Sequence, residues 1–476
     1  MPRFAASTYL PVSPGEAFAW HARPGALARL IPPWQDVRIV QNASGLFDDA
    51  RTVLSIGTGP GPLRRRWVAL HRDCRPGAQF RDVQERGPFA AWDHLHRFDA
   101  EDDDGCRLSD IIDYRLPYGW LGRRLLGRTI ERDLARAFAW RHRRTLADLG
   151  RHRSFRDQRP LLIALSGSRG LVGSQLAPFL TGGGHTVLPL VRPGGKRGAG
   201  IPWDPQAGTL DAEALSACDA IIHLGGAGVA DGRWTRARKH LILESRVRST
   251  RLLAETLARS AHKPRVLIVA SAVGWYGDRG DTIVDETNPS GDGFLAEVCR
   301  AWEDACEPAR AAGIRVVNVR IGMVVTRRGG ALARMLTPFR LGLGGPIGSG
   351  DQWISWISLD DLVYLIHHAL LSQTVQGPVN AVAPTPVRQR DFARELSGVM
   401  RRPCAVRTPA WAVRAAFGQM GTEVLLGGAR VVSRTLEDEV FAFSAPTLHD
   451  AFEDEFGTAV ARPAKPHTST SSGPIG

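Results

Sequence analysis

Hydrophobic and polar positions change rhythm twice along the chain. Up to about residue 150, short stretches with strand-like alternation are separated by turn-rich breaks: Phe4–Leu10, Val37–Val40, Thr52–Ile56, Arg65–Leu70, Gln79–Gln84, Ala91–Phe98 and Cys106–Tyr114. One long helical pattern follows. In it Leu121, Leu125, Ile130, Leu134, Phe138 and Leu149 recur at mostly helical spacing, while Arg123, Arg124, Arg128, Arg132 and Arg136 line other faces. An antiparallel sheet wrapped around that helix would bury the stripe, which predicts an α+β unit over residues 1–150. The polar run RHRSFRDQRP, residues 151–160, reads as a linker. Beyond it, apolar runs at Leu161–Leu165, Thr186–Val191, Ala220–Leu224, Arg265–Ser271 and Arg315–Ile321 alternate with helical segments such as Arg233–Ala258 and Gly293–Ala312. That is the pattern of an α/β, doubly wound parallel sheet. We place this unit at 161–375 and a smaller C-terminal lobe at 376–460; residues 461–476 have almost nothing to bury and are expected to be disordered.

A chain of 476 residues exceeds what one hydrophobic core organises, in keeping with two or three domains. No apolar run approaches the roughly 20 residues of a membrane helix. The N-terminus lacks an apolar segment followed by a small-residue cleavage site, so a cytoplasmic location is expected. Six scattered cysteines suit reduced thiols. The pairs His94/His96 and His367/His368 lack Cys or carboxylate partners at ligand spacing, so no metal is expected. The net charge is +13, but only four of the 61 basic residues are lysine and no nucleic-acid motif accompanies them. A solvated basic surface is therefore expected rather than a nucleic-acid partner, and an anionic small molecule stays compatible.

The densest chemical signal is LLIALSGSRGLVGSQLAPFL, in which the strand Leu161–Leu165 meets Gly167, Gly170 and Gly173 and a helix opens at once. A tight turn needs glycine, a Cβ would hold a pyrophosphate off the backbone, and the last glycine lets helix and strand pack closely. The helix N-terminus offers N–H groups and partial positive charge to phosphate. The second strand ends in Arg192, where proteins that prefer NAD carry Asp or Glu for the ribose hydroxyl. An arginine there suits the 2′-phosphate of NADP, with Lys196 and Arg197 following in the same loop.

The ordered motifs GLVGSQL, HLGG (residues 223–226), RWTRARKHLILESRVRSTRLL (233–253), SAVGWYG (271–277), FLAEVCRAWE (294–303) and LTPFRLGLGGPIGSGDQWISWISLDDL (336–362) resemble an atypical epimerase family of the extended short-chain dehydrogenase/reductases. The stretch GPVNAVAPTPVRQRDFARELSGVMRRP is similar to that family's C-terminal domain. Residues 1–150 resemble, more diffusely, the START-like polyketide cyclase/dehydrase helix-grip fold, which encloses an apolar ligand between sheet and long helix. The resemblance implies a Rossmann unit with a small C-terminal lobe, fused to an N-terminal helix-grip domain. It also implies NADP(H) contacts at Gly167, Gly170, Leu171, Val172, Gly173, Arg192, Leu224, Gly225, Arg246 and Val324. Arg246 has a plainer alternative, a helix-surface arginine paired with Glu244 or a neighbouring acid.

Enzymes of this class move a proton with a tyrosine while the nicotinamide moves a hydride, and a lysine four residues on lowers the phenol's pKa from about 10. Ser271 occupies the expected serine position, but Tyr-x-x-x-Lys has become Phe294-Leu295-Ala296-Glu297-Val298. Tyr276 is the nearest phenol, either as a substitute acid/base or as a packing residue. Asp278, Asp285 and Glu286 follow in the same loop. LGLGGPIGSG (341–350) lacks a P-loop ending and is expected to form a mobile lid or a substrate loop, with Trp353 and Trp356 as walls. Two readings result: an NADP(H)-dependent oxidoreductase or epimerase-like enzyme using Ser271 and Tyr276 on a small carbonyl, hydroxyl or sugar-type substrate, or a non-catalytic NADP(H)- and apolar-ligand-binding regulatory protein.

Overall fold

The alternating strands of the front unit form one antiparallel sheet in a computed structural model that describes residues 1–57, 63–192 and 200–458. Lys196, Arg197 and the tail 461–476 lie outside the described residues. Strands β1 (Arg3–Leu10), β2 (Val37–Gln41), β3 (Arg51–Gly57), β4 (Arg64–Arg75), β5 (Gln79–Arg86), β6 (Ala91–Ala100) and β7 (Cys106–Arg115) take the order β1-β7-β6-β5-β4-β3-β2. Helices α1 (Pro14–Ala22) and α2 (Ala26–Arg29) connect β1 to β2; Ser13 starts α1 by accepting the Glu16 N–H.

The long helix α3 (Gly119–Arg153) packs on the sheet through Phe138, against Trp92, Ile112 and Tyr114. Its apolar stripe is buried only from Ile130 onward, since Leu121 and Leu125 are 45% and 70% exposed. Length explains the difference. Thirty-five helical residues reach about 52 Å at 1.5 Å each, whereas a ten-residue strand reaches roughly 33 Å. The first turns of α3 therefore run past the sheet. The face beneath α3 is also less apolar than expected. Register sets Asp82 opposite both His71 and His94, and Asp110 opposite His96, while His142 approaches from α3. The carboxylates that sequence spacing denied to His94 and His96 arrive by strand pairing.

Residues 151–160 are anchored rather than a free linker. Phe155 packs on the next core, Gln158 Nε2 donates to the Leu371 carbonyl (3.0 Å) and Arg159 pairs with Asp219 (2.5 Å).

The second unit comprises β8 (Leu162–Ser166), α4 (Gly173–Gly182), β9 (Thr186–Val191), β10 (Ile201–Asp204), β11 (Thr209–Leu210), α5 (Ala212–Ser216), β12 (Ala220–His223), α6 (Arg236–Arg259) and β13 (Val266–Ala272). It continues through β14 (Ile283–Val284), α7 (Phe294–Asp304), α8 (Glu307–Ala311), β15 (Val316–Ile321), β16 (Met323–Val325), α9 (Gly330–Arg340), β17 (Trp353–Ile354), β18 (Trp356–Ser358), α10 (Leu359–Leu371) and β19 (Gly377–Ala381). The main sheet runs β11-β10-β9-β8-β12-β13-β15-β19, parallel except at β11. Its strands are nearly all apolar because helices cover both faces. Gly377–Ala381 pairs with β15, so the sheet extends past the 375/376 division drawn from sequence. Beyond it come α11 (Gln389–Met400), α12 (Ala410–Phe417), α13 (Arg434–Asp438) and α14 (Leu448–Phe456), and α11 and α14 bury Phe392, Leu396 and Phe452 with Trp356 in a lobe of their own. Among the described residues no helix is long and apolar enough to cross a membrane.

The two large units share a buried seam. Arg29 is bound by Asp148 through two 2.8 Å hydrogen bonds and pairs with Asp360 at 2.9 Å, and the Tyr364 hydroxyl donates to Asp148 (2.7 Å). Gly25 touches α4 so closely that a Cβ would sit 1.8 Å from the Pro178 carbonyl oxygen.

Candidate functional site

Strand order reverses between β8 and β12, and in open α/β sheets that crevice, at the carboxyl ends of the strands, is where ligands bind. The buried run Leu162–Ser166 delivers the chain there and Gly167 turns it with φ +72°, a backbone conformation that disfavours any side chain. The Gly170 N–H donates to the Gly167 carbonyl (2.8 Å), closing the turn, and α4 begins at Gly173. A Cβ on Gly173 would lie 2.2 Å from Gly167 O and 2.8 Å from the Ser168 Cα. A Cβ on Gly167 would lie 3.0 Å from the Leu224 carbonyl carbon. The cradle therefore exists only because these positions carry no side chain. This is the fit a diphosphate requires: exposed backbone beside a helix N-terminus.

The neighbouring wall is fixed by buried hydrogen bonds. Ser166 Oγ meets His223 Nδ1 (2.5 Å) and accepts the Leu224 N–H (3.2 Å), and His223 Nε2 meets Ser249 Oγ (2.9 Å). Burial pushes the His223 imidazole down to about 3, so the ring is neutral and serves as a spacer. Arg246 reaches from α6 to the Ala227 and Ile242 carbonyls (3.0 and 2.9 Å), with its guanidinium 4.9 Å from the Trp302 ring centre. Glu244 pairs with Arg248 instead, and the Arg246 guanidinium is turned to backbone carbonyls. Leu171 lies against Gly329 and Gly330 at the start of α9. Val324, half-buried in β16, packs on the core beneath the loop, as does Val172. Thus Gly167, Gly170, Leu171, Val172, Gly173, Leu224 and Gly225 meet at one strand-end crevice. Arg192 stands exposed just after β9, the adjacent strand.

Ser271 and Tyr276 join one buried network. Ser271 Oγ donates to Glu303 (2.7 Å), and Arg320 grips the same carboxylate at 2.9 and 3.0 Å. Arg320 also donates to the Tyr276 hydroxyl (3.0 Å), which lies 2.9 Å from the Asp285 carbonyl and 2.8 Å from Asn380 Oδ1. The phenol is wholly buried, and burial pushes it up to about 12. A phenol held there is a weak proton donor at neutral pH. Phe294 and Val298 are buried in α7, so the usual Tyr and Lys positions are apolar packing here. Glu303, Arg320 and Asn380 were not anticipated, although a charged residue inside the apolar strand Val316–Ile321 is itself a signal, because a buried charge requires a partner.

Of the loop acids, Glu286 accepts from the Asn380 N–H (2.8 Å), the Ser433 hydroxyl (2.7 Å) and the Arg434 N–H (2.9 Å), which ties β19 to the C-terminal lobe. Asp285 caps its own turn through Thr287, and Asp278 accepts the Gly280 N–H. The expected lid is pinned. Gly348 N–H donates to Thr408 O (2.8 Å), Thr408 N–H to Pro346 O (2.9 Å) and Ile347 N–H to Gln389 Oε1 (2.8 Å). Trp356 is core rather than a pocket wall, and the Arg388 and Arg430 guanidiniums lie 4.1 and 4.8 Å from the Trp353 ring centre.

Comparison with known proteins follows these divisions. Residues 163–381 match the NAD dependent epimerase/dehydratase family, 10–143 the polyketide cyclase/dehydrase and lipid transport family, and 408–455 a domain of unknown function. An epimerase family protein of Mycobacterium bovis is 40% identical over 302 residues, covering 63% of this chain and 98% of that protein. The crystal structure described as the nucleoside-diphosphate sugar epimerase from Corynebacterium glutamicum superposes with a TM-score of 0.79 at 34% identity, over 96% of this chain and 90% of that one. The human epimerase family protein SDR39U1, crystallised with NADPH, gives a TM-score of 0.56 at 32% identity, over 63% of this chain and all of that one.

Proposed function

The chain belongs to the epimerase family of extended short-chain dehydrogenase/reductases and carries a polyketide-cyclase-type unit in front; from that premise we propose that it binds NADP(H) and acts as an oxidoreductase or epimerase-like enzyme on a small carbonyl, hydroxyl or sugar-type substrate. The observation that carries this reading is the side-chain-free cradle at Gly167, Gly170 and Gly173, set where the strand order reverses. The human relative's NADPH supports the choice of dinucleotide, and so does Arg192 at the end of the second strand.

The bound nicotinamide supplies hydride transfer. The chain's own residues do the rest. The glycine loop and α4 receive the diphosphate, Arg192 reads the 2′-phosphate, and Arg246 braces the Leu224–Ala227 turn. Ser271 sits at the carboxyl end of β13, where a substrate oxygen is oriented. Tyr276 acts as a positioning residue that holds Arg320 and Asn380.

Calorimetry with NADPH and NADH, followed by absorbance at about 340 nm with nucleoside-diphosphate sugars and small carbonyls, tests the reading. NADPH is expected to bind more tightly than NADH, and Tyr276→Phe to lower kcat with little change in KM. Folded protein that gives no heat with either dinucleotide would sink the proposal.

A further inference from the structure

In the front domain a polar cluster occupies the core face of the sheet. Antiparallel register brings Asp82 on β5 opposite His94 on β6, and one ligand atom from each of Asp82, His94 and His96 falls within 4.8 Å of the others. His94 and His96 are 3% and 8% exposed. We propose that Asp82, His94 and His96 form a binding site for a divalent first-row transition cation.

Three observations support the site. First, its donors are the mixed imidazole and carboxylate set that suits zinc and its neighbours, rather than the all-oxygen set of calcium or magnesium. Second, several polar atoms are left without an aligned hydrogen bond although they are buried. His71 Nδ1 lies 2.7 Å from Asp82 Oδ1, and His96 Nδ1 lies 2.7 Å from Asp110 Oδ1, close ion-pair contacts that lack hydrogen-bond alignment. Third, an outer ring is in place. Asp110 accepts from His94 Nε2 (2.8 Å) and His142 Nε2 (2.6 Å), the carboxylate–histidine arrangement that orients ligating imidazoles. Tetrahedral bonds of about 2.0–2.2 Å set ligand atoms roughly 3.4 Å apart, so side chains whose ligand atoms lie within 4.8 Å of one another would have to close by as much as about an ångström or more around the ion.

Such a cation would join β5 and β6 under α3, where the fold class was expected to hold an apolar ligand.

The test uses the full chain, stripped with a chelator and dialysed against Zn2+ or Co2+. Elemental analysis is expected to find one metal per chain. The Co2+ form is expected to show paramagnetically shifted imidazole N–H resonances. His94→Ala and Asp82→Ala should each abolish uptake while NADPH still raises the melting temperature, which separates loss of this site from loss of the dinucleotide site. Should the variants not fold, the wild-type Co2+ spectrum decides. Stripped wild-type protein that takes up no metal, shows no shifted imidazole resonance, or keeps its metal in both folded variants overturns the proposal.

Discussion

Gly173→Ala isolates the dinucleotide cradle from everything else. The added Cβ would lie 2.2 Å from Gly167 O and 2.8 Å from Gly167 C, well over 1 Å inside ordinary contact at the closer atom, and both neighbours are backbone. No side chain can swing away, so the Gly167–Gly170 turn must move relative to α4. Overpacking of this kind costs about 1–3 kcal/mol. The same movement misaligns the N–H groups that face the diphosphate; each hydrogen bond to a charged acceptor is worth about 1.5–3 kcal/mol, so losing one weakens binding about 10- to 150-fold. Calorimetry with NADPH reads the affinity, and thermal melting without ligand reads the stability. Gly150→Ala is the control: it lies inside α3 with nothing within 4 Å of the added atom, and should be neutral or slightly stabilising. If folded Gly173→Ala protein bound NADPH with wild-type affinity, the cradle would not be where the diphosphate sits.

Arg192→Glu should weaken NADPH by about tenfold or more, the worth of one charge-assisted contact, and leave NADH unharmed; an unchanged affinity ratio would contradict the 2′-phosphate role. Asp148→Ala should cost about 3 kcal/mol, toward the low end for a broken buried pair because Arg29 keeps Asp360 at 2.9 Å; a loss below about 1 kcal/mol in urea unfolding would mean the seam is not held electrostatically. Burial drives His152 and His185 from 6.5 down to about 4 and His223 to about 3, so the unfolded chain takes up protons first. Their stabilisation is present above pH 6.5 and lost as pH falls toward 4, about 3 kcal/mol for His152. Glu455, pushed up to about 7 by burial, works the other way by favouring its protonated folded form as pH falls, and so do Asp361 and Asp454, also raised by burial. The six lowered histidines, which include His21, His94 and His367, outnumber these three acids, so the melting temperature should drop below pH 6.5; a flat profile would refute the burial argument.

Period alone marks every strand of the main parallel sheet from β8 to β15 except β10 and β11, and the glycine spacing marks the turn between β8 and α4, because both signals are local. What stayed hidden depends on pairing between distant segments. His94 and His96 alternate in β6 like any inward pair, and only the register of β5 and β7 reveals Asp82 and Asp110 beside them. Glu303 and Arg320 sit on different elements 17 residues apart, and Tyr276 and Asn380 are 104 apart, so their network could not be read from spacing. Leu121 and Leu125 misled for the opposite reason: their helical periodicity is real, but the sheet ends before the helix does. Trp356 followed a glycine-rich loop that looked mobile, whereas Thr408 and Gln389, more than 30 residues later, hold that loop down.

The seam between the units follows from which end of α4 does what. Its N-terminus forms the cradle, and its far half carries Phe179, Pro178 and Gly182 into the front domain. There Arg23 donates to the Gly182 carbonyl (2.7 Å), His152 stacks on Phe179 at 4.3 Å, and Arg29 lies 5.5 Å from the same ring. The same surface also presents Tyr364 and Asp360 of α10 to Arg29 and Arg144. The Mycobacterium bovis relative aligns over 98% of its own length with 63% of this chain, which leaves no room for an equivalent front unit. The positions of Phe179, Tyr364 and Asp360, covered here by the front unit, would lack that cover in a relative without one. The composition of that face should therefore separate members with a front domain from those without one. In a chain beginning at residue 160, the exposed Phe179 and Tyr364 would form an apolar patch and Asp360 would lose both arginines. The front domain thus completes the outer surface of the helix that opens the dinucleotide site.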